Sequence, residues 1–405
     1  MTRTSRRRVA VTGLGVVSSI GTGPAEFAAG LRAGRSGARP ITVFDTTGLP
    51  LNLGCEISGF EPRKWLDRLS ADDLPRVAQL AVAAARMAVD DAAYDRAELA
   101  ARRTLIGVGT STAGTDSVER IAERLARDPD AGVDEFEARW TPAVGMSVAV
   151  ARELGLSNVE LATYATACAA GNYTIGDGFD AVAAGDVDVA LCGGADGMSR
   201  MSYIGFYRLG AIDPVHCRPF DRERRGILTG EGAGMLVLEP LDDAVARGAR
   251  IYAEVLGYGL NCDAHHPVAP HRDGVTACLR TALADAGVAP GDVDLISAHG
   301  TGTLANDSTE CAAISAVFGD TPPRTVSIKS MLGHTMGAAS ALSAIASCLA
   351  ITEGFIPPTI NHVETDPDCP IDCVPNHSVA ADLEIVQSNA FAFGGGNAVV
   401  LFGKN

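Results

Sequence analysis

Three residues combine reactive side chains with positions at the ends of predicted strands: Cys168, His299 and His334. Cys168 follows a β-forming run over 159–167, and a helical pattern begins at residue 170. A helix N-terminus favours a thiolate, and an unassisted cysteine is only about 3% ionised at pH 7. Cys168 is therefore a candidate nucleophile, although its local sequence fits a buried structural thiol equally well.

Two of the eight histidines lie where an α/β protein places catalytic groups. His299 follows the apolar run DVDLISA and precedes a Gly/Thr loop. His334 lies between a short predicted strand and a small-residue helix, five residues after Lys329. A nucleophilic cysteine needs such partners. Neither histidine has a carboxylate or cysteine at ligand spacing beside it, so we predict no metal site.

The surrounding chain must bring these distant residues together. Its 405 residues are 47% hydrophobic and alternate apolar β-rich runs with alanine-rich segments, which predicts an α/β fold. We expect a helix over 74–94, a strand over 186–196, and a strand, helix and strand over 232–259. The N-terminal MTRTSRRRVAVTGLGVVSSIG superficially resembles a signal peptide, but glycines, serines and a threonine interrupt its apolar run. We interpret it as a basic tail and a buried first strand.

A weak internal repeat indicates two related halves. RVAVTGLGVVS near residue 10 resembles IYAEVLGYGLNCD near residue 251, and the segment around Cys168 resembles the one around His334. In each pair a loop feeds a helix of small residues in the same order, which is typical of a duplicated unit. We therefore predict one half over residues 1–250 and another over 251–405.

Composition excludes several classes of protein. The net charge of −16 is unfavourable for nucleic-acid binding, and the absence of 18 consecutive apolar residues predicts no membrane span. Ten cysteines without a CxxC pair indicate free thiols and a reducing, cytoplasmic setting. The glycines of VTGLGVVSSIG and FGGGN do not complete a dinucleotide-binding fingerprint.

Four motifs, in order, resemble those of the elongating β-ketoacyl-acyl carrier protein synthases. They are TACAAG around Cys168, AHGTGT around His299, SIKSMLGHTMGAA around His334, and NAFAFGGGN at 389–397. The likeness extends over nearly the whole chain. It implies the thiolase fold, in which two similar halves form a layered α/β/α/β/α body, with the nucleophile in the first half and both histidines in the second.

The resemblance implies a decarboxylative condensation. Cys168 would carry the acyl chain as a thioester, and the backbone N–H groups of Cys168 and Phe393 would form its oxyanion hole. His299 and His334 would hydrogen-bond the carbonyl of a carrier-bound malonyl unit as it becomes an enolate. Preorganised donors of this kind are worth about 3 to 4 kcal/mol each.

Other matched residues would support the site. Lys329 would organise it, with Glu310 as its ion-pair partner. Thr301 and Thr303 would bind a phosphopantetheine arm. The substrates would be carried on the phosphopantetheine of a separate acyl carrier protein, and no cofactor of the enzyme itself is expected.

Departures from the family pattern concern the substrate pocket. Thr112 stands where a bulkier apolar residue often lines the acyl pocket, and Val268 stands where threonine is common. Ala392, between Phe391 and Phe393, replaces a glycine in a loop that would gate the site. These changes favour type II polyketide or other specialised biosynthesis over housekeeping fatty acid elongation. A non-condensing subunit and an acyltransferase or hydrolase on the same fold are the alternatives.

The expected partners are an acyl carrier protein and a second subunit. A homodimer and a heterodimer with a chain-length-factor-like subunit both fit the resemblance. From the length of 405 residues we expect no attached acyltransferase or carrier domains, so that partners would act in trans. Arg63, Lys64, Arg68 and Arg76 are a candidate docking patch for the acidic carrier, although scattered solvated charges fit them equally well.

Overall fold

The computed structural model describes residues 6–405 of the chain. The strands are β1 Val9–Ser18, β2 Gly21–Thr22, β3 Arg39–Pro40, β4 Leu53–Gly54, β5 Thr104–Gly109, β6 Val159–Tyr164, β7 Val189–Asp196, β8 Gly232–Pro240, β9 Ala253–Cys262, β10 Leu295–Ser297, β11 Arg324–Val326, β12 Phe355–Ile356, β13 Val379–Ala380, β14 Ile385–Phe391 and β15 Gly396–Gly403. The α-helices are α1 Pro24–Arg32, α2 Arg76–Asp91, α3 Arg96–Ala100, α4 Thr115–Arg127, α5 Glu135–Arg139, α6 Gly145–Leu154, α7 Ala170–Ala184, α8 Arg200–Arg208, α9 Leu241–Ala246, α10 Arg272–Ala286, α11 Leu304–Phe318, α12 Lys329–Leu332 and α13 Ala338–Glu353. These bounds confirm the helix predicted over 74–94 and the strands predicted over 186–196 and 232–259.

The main sheet consists of two halves with the same strand order. Its first half runs β6-β5-β7-β8-β1 and its second runs β11-β10-β14-β15-β9. In each half the strand pairs at the outer edge are parallel and those toward the middle are antiparallel. Strands β1 and β9 pair where the halves meet. The repeated order is the structural counterpart of the sequence repeat, and the division at residue 250 stays a prediction.

Five layers follow from the helix packing. Helices α2 and α6 cover the outer face of the first half of the sheet, and α10, with α11 packed on it, covers that of the second. Helices α7 and α13 contact each other and strands of both halves, so they form the central layer. Residues 338–351 of α13 are all buried, as expected for a helix enclosed on every side. The predicted layered α/β fold is thus confirmed.

The glycine-rich N-terminal segment is a buried strand. Every residue of β1 is buried. A Cβ on Gly13 would lie 2.1 Å from the carbonyl oxygen of Ala88, and one on Gly15 would lie 1.8 Å from that of Ala84. These glycines therefore allow the backbone of α2 to approach the strand. This explains their presence without a nucleotide site.

Two further findings concern the state of the cysteines and the possibility of a membrane-spanning helix. All ten cysteines are free thiols, as predicted, including Cys369 and Cys373. Within residues 6–405, no helix combines the length and the apolar character needed to cross a bilayer.

Candidate active site

Cys168, His299 and His334 converge at the centre of the molecule. One donor atom from each lies within 4.8 Å of those of the other two. The ring centroids of the two histidines are 5.6 Å apart and nearly perpendicular. All three residues are buried, with 6%, 3% and 2% of their surface exposed, respectively. The fold therefore brings together the three groups that the sequence identified as one reactive constellation.

Cys168 and His334 converge because they follow β6 and β11, which occupy the same place in the two halves of the sheet. Cys168 lies in a 3-10 turn, Ala167–Ala169, between β6 and the central helix α7. His334 follows β11, which occupies the same place in the second half, and precedes the central helix α13. The residue before Cys168, Ala167, has a φ of 49°, a strained conformation for a residue with a side chain. Such strain is frequent where a turn must present a functional group.

Burial works against ionisation of the Cys168 thiol. It raises the pKa of Cys168 to about 11. The positive charge of Lys329 and the backbone N–H groups of Phe393 and Cys168 act in the opposite direction, but they do not outweigh burial. The expectation of a thiolate favoured by its helix N-terminus is therefore wrong for the resting site, because desolvation dominates. The same two N–H groups lie close enough to the sulfur to lower its pKa, so they are near the place where a thioester on Cys168 would have its carbonyl.

His334 is held in one orientation and one tautomer. Its backbone N–H donates to the carbonyl of Leu228 at 2.7 Å, and its carbonyl accepts from Gly230 at 2.9 Å. Its Nδ1 accepts a hydrogen bond of 3.0 Å from the N–H of Met336. This contact assigns the ring proton to Nε2, which is therefore a donor. The three side chains are close enough to suggest metal ligands, but a protonated Nε2 cannot ligate a metal.

The peptide group of His299 is held from both sides. Its N–H donates to Glu310 Oε1 at 2.9 Å, and its carbonyl accepts from Lys329 Nζ at 2.6 Å. Glu310 also accepts from the N–H of Gly300 at 2.8 Å and from Asn389 at 3.1 Å. Both Lys329 and Glu310 lie in the described part of the chain, and they form no direct ion pair. The direct contact that an ion pair implies is therefore absent, because each side chain is occupied by the backbone beside His299, although the charge of Glu310 raises the pKa of Lys329 against the effect of burial.

Both histidines are neutral at physiological pH. Burial and the charge of Lys329 lower the pKa of His334 to about 3. Burial, Lys329 and His334 together hold the pKa of His299 well below its usual range. An imidazole in this state donates one hydrogen bond and carries no charge. The pair is therefore suited to stabilising a developing negative charge by hydrogen bonding.

A cavity of about 300 Å³ connects the three residues with the surface. Its walls are mainly apolar and aromatic, with few polar groups. They are formed by Cys168, Phe206, Leu209, Gly210, Ala211, Arg225, Ile227, His266, Val268, Ala269, Pro270, His299, Thr301, Thr303, Leu304, Ala305, Asn306, His334, Phe391, Ala392 and Phe393. Such a cavity can receive an acyl group on a flexible arm.

Four of the five predicted substrate-contacting residues line this cavity. Thr301, Thr303, Val268 and Phe391 belong to its wall. The hydroxyl groups of Thr301 and Thr303 are 2.8 Å apart, and that of Thr303 also caps α11. Thr112 does not reach the cavity of this chain: its hydroxyl donates to Asp196 at 3.0 Å, and it borders a separate small pocket. The placement predicted for Thr112 is therefore wrong within the single chain.

The sequence analysis missed several wall residues. Phe206 packs near both Phe393 and His334, with ring centroids 5.7 and 6.5 Å apart. Arg225 and His266 place basic side chains in the wall. The arginine-rich run CRPFDRERRG was the available signal for Arg225, but nothing local distinguished Phe206 from a core aromatic residue.

The suggested docking patch is largely neutralised. Arg63 pairs with Asp72, Lys64 with Glu61, and Arg76 with the buried Glu231, at 3.3, 2.7 and 2.5 Å. Three of the four positive charges are thus matched by carboxylates. The sequence could not reveal this because the partner of Arg76 is distant along the chain.

Comparison with known proteins identifies the class. The family models "Beta-ketoacyl synthase, N-terminal domain" and "Beta-ketoacyl synthase, C-terminal domain" match residues 6–244 and 252–363. The chain belongs to the β-ketoacyl synthase family and is an enzyme of the acyltransferase class.

Individual relatives agree over their full length. The chain is 38% identical to 3-oxoacyl-(acyl-carrier-protein) synthase 2 of Synechocystis sp., over 100% of both proteins. It is 41% identical to Nodulation protein E of Rhizobium sp. (strain N33), over 98% of this chain and 99% of that protein. The solved structure of the ishigamide ketosynthase/chain length factor matches with a TM-score of 0.97 and 59% identity, over 99% of this chain and 100% of that one.

Proposed function

We propose that the protein catalyses decarboxylative Claisen condensation between a Cys168-bound acyl chain and malonyl-acyl carrier protein. The observation that carries the proposal is the convergence of a buried thiol and two neutral histidines within 4.8 Å at one end of an apolar cavity. No metal ion or cofactor of the enzyme itself enters the scheme. The full-length identity to a 3-oxoacyl-(acyl-carrier-protein) synthase supports the carrier-bound substrates.

In the first step Cys168 takes the acyl chain. Its sulfur attacks the carbonyl carbon of the acyl-carrier thioester, and the tetrahedral oxyanion accepts hydrogen bonds from the N–H groups of Cys168 and Phe393. The bond to the carrier sulfur then breaks, and the proton of the Cys168 thiol ends on that sulfur. Because burial keeps the thiol protonated, its proton must leave during the attack.

In the second step a malonyl thioester enters the part of the cavity that the phosphopantetheine arm of the first carrier has left. Its carbonyl oxygen accepts hydrogen bonds from His299 and from Nε2–H of His334. Loss of CO2 leaves the electron pair on the enolate, which these neutral donors stabilise. The enolate carbon attacks the acyl-Cys168 carbonyl, a carbon–carbon bond forms, and the carbon–sulfur bond to Cys168 breaks. The departing Cys168 thiolate takes a proton from solvent, since its own proton left with the first carrier, and the β-ketoacyl product leaves on the second carrier.

The test is a mass-spectrometric assay with acyl- and malonyl-carrier substrates. We expect acyl-Cys168, CO2 and a β-ketoacyl product. Cys168→Ala should abolish acylation, whereas His299→Ala should reduce decarboxylation more than acylation. Acylation without condensation would favour a transferase. No acylation in the presence of the partner subunit would favour a non-condensing subunit, and equal loss of both steps in His299→Ala would contradict the division of roles.

We infer a role in type II polyketide or other specialised biosynthesis, with a chain-length-factor-like partner subunit. The 59% identity to the ishigamide ketosynthase/chain length factor supports this over housekeeping fatty acid elongation, for which the corresponding identity is 38%. The test is activity and molecular mass with and without a co-expressed partner. Full activity of a homodimer on saturated acyl chains would favour fatty acid elongation.

We propose that the carrier protein docks beside the cavity mouth, at Arg208 and Arg225. Arg225 lines the cavity and Arg208 is exposed at the end of α8, next to the wall residue Leu209. Neither arginine has an ion-pair partner among residues 6–405. Charge reversal at both should raise the KM for carrier-bound substrate several-fold, whereas Arg63→Glu, at a paired exposed arginine, should not. Equal effects would place docking elsewhere.

We propose a cytoplasmic location, supported by ten cysteines that are all free thiols. Fractionation of the native host with an antibody tests this, and recovery from an oxidising compartment would contradict it.

A further inference from the structure

A buried carboxylate outside the reacting groups contacts two loops of the site. Asp196 ends β7, is completely buried, and has no ion-pair partner among residues 6–405. Five hydrogen bonds satisfy it instead. Their donors are the hydroxyl of Thr110 at 2.7 Å, the N–H groups of Ser111 at 2.7 Å and Thr112 at 3.0 Å, the hydroxyl of Thr112 at 3.0 Å, and the N–H of Gly337 at 2.6 Å. Burial raises the pKa of the Asp196 carboxyl, and the hydrogen bonds from these donors act in the opposite direction, in favour of the anion.

These bonds join segments that are far apart in the sequence. Residues 110–112 follow β5, and Gly337 is the N-cap of α13. The backbones also touch, because a Cβ on Gly337 would lie only 2.4 Å from Cα of Thr110. His334 precedes Gly337 by three residues, in the same turn. The carboxylate thus connects the turn that carries His334 to the loop that contains Thr112, and the N-terminus of α13 favours its negative charge.

Asp196 also contributes to the charge that surrounds the nucleophile. The two histidines within 4.8 Å of the Cys168 sulfur are neutral, so the charges that act on the thiol are those of Lys329 and Asp196. Lys329 lowers the pKa of the thiol and Asp196 raises it. Removing either charge should therefore shift the reactivity of the sulfur in a predictable direction.

We propose that Asp196 is a positioning residue for the condensation, which fixes the His334 turn against the loop 110–112 and thereby affects the reactivity of the Cys168 sulfur, which lies within 4.8 Å of a ring nitrogen of His334. The effect of the His334 turn on condensation rests on the proposed function. The reactivity of the sulfur toward an alkylating reagent can be measured whether or not that function is correct.

The experiment compares the wild-type protein with Asp196→Asn, which keeps the size of the side chain and removes its charge. The rate of Cys168 alkylation by iodoacetamide is followed between pH 6 and 10 by peptide mass spectrometry. We expect the curve to move to lower pH, with about tenfold faster alkylation at pH 7 for each unit of the shift. For malonyl decarboxylation we expect a several-fold lower kcat at an unchanged KM, because an asparagine cannot accept all five bonds.

Glu56→Gln is the matched control. Glu56 is also a buried carboxylate that accepts from a threonine hydroxyl and two backbone N–H groups, those of Thr42 and Val43. The loss of a buried, hydrogen-bonded carboxylate would by itself affect both variants alike. If Asp196 acts on the sulfur, the alkylation curve should move only in Asp196→Asn. An unmoved curve in folded Asp196→Asn, or the same displacement in Glu56→Gln, overturns the proposal.

A second variant covers the case in which Asp196→Asn does not fold. Thr112→Val removes one donor and leaves the charge, so kcat for decarboxylation should fall several-fold while the alkylation curve stays in place. A wild-type kcat, or a displaced curve, overturns the proposal. If the wild-type enzyme decarboxylates nothing, the proposed function fails, while the alkylation curves still decide whether Asp196 acts on the sulfur.

Discussion

His334→Asn tests the inference that this histidine works as a neutral hydrogen-bond donor. Burial and the positive charge of Lys329 oppose its protonation, and its pKa in the folded protein falls to about 3. Asparagine retains an N–H donor but cannot be protonated in the accessible pH range. The variant therefore removes a titration while preserving a polar side chain at the site.

The size of the effect follows from the two pKa values. In the unfolded chain a histidine titrates near pH 6.5, so below that pH the unfolded state binds a proton that the folded state does not. The contribution of His334 to stability is thus present above pH 6.5 and is lost progressively as the pH falls toward its folded pKa of about 3. Between pH 7.5 and 5 the loss amounts to about 2 kcal/mol.

The assay is urea unfolding of both proteins at several pH values from 7.5 to 5. The difference in unfolding free energy between the variant and the wild type should shift by about 2 kcal/mol in favour of the variant over this range. Using differences cancels the titration of all other groups. His377→Asn, at an exposed histidine, controls for the replacement of an imidazole elsewhere in the chain.

A difference that does not change with pH would refute the reasoning. It would mean that His334 gains its proton as easily in the folded protein as in the unfolded chain, despite burial and Lys329. The site would then hold an imidazolium in mild acid. Stabilisation of the enolate by two neutral donors would no longer describe the condensation.

Three further predictions concern the groups around the site and the sheet. Lys329→Met removes a positive charge, so the pKa of Cys168 should rise and its alkylation at pH 7 should slow, as measured by peptide mass spectrometry. Glu310→Gln should lower kcat and cost about 1 to 3 kcal/mol in urea unfolding, because a bond to the peptide of His299 or its neighbour is lost. Gly15→Ala should cost about 1 to 3 kcal/mol through its contact with α2, with kcat per folded enzyme unchanged; an unaltered melting temperature would contradict the packing.

The sequence was sufficient to locate the three central residues. Cys168, His299 and His334 each follow a short predicted strand and precede a loop or helix of small residues, and in an α/β fold such strand ends form sites. The same periodicity located the long elements, including α2 and β7. These features depend on local patterns, which a single sequence records well.

The predictions that were wrong depended on long-range placement. The sequence shows that Lys329 and Glu310 are present, but it does not show that the peptide group of His299 lies between their side chains. Thr112 lies outside the cavity because its hydroxyl is bound by Asp196, far away along the chain. The thiolate expected at Cys168 was wrong for the same reason, since burial by distant elements outweighs a local helix N-terminus.

The repeated halves explain why the site is central and why its residues differ in kind. The equivalent strands β5 and β10 are followed by Thr110 and His299, and the equivalent strands β6 and β11 are followed by Cys168 and His334. The equivalent strands β7 and β14 end at Asp196 and Phe391, where the third pair of loops begins. Since the two halves share one strand order, these loops meet at the middle of the molecule whatever side chains they carry.

The difference in side chains therefore determines the chemistry, while the shared topology determines the geometry. In the proposed condensation the first half contributes Cys168 and Asp196, and the second contributes the two neutral histidines and Lys329. Lys329 stabilises a thiolate and disfavours imidazolium ions, so one charge favours both the nucleophile and the donor form of the histidines. In the proposed scheme the thiol loses its proton during the attack and the histidines act as neutral donors, and the positive charge of Lys329 favours both.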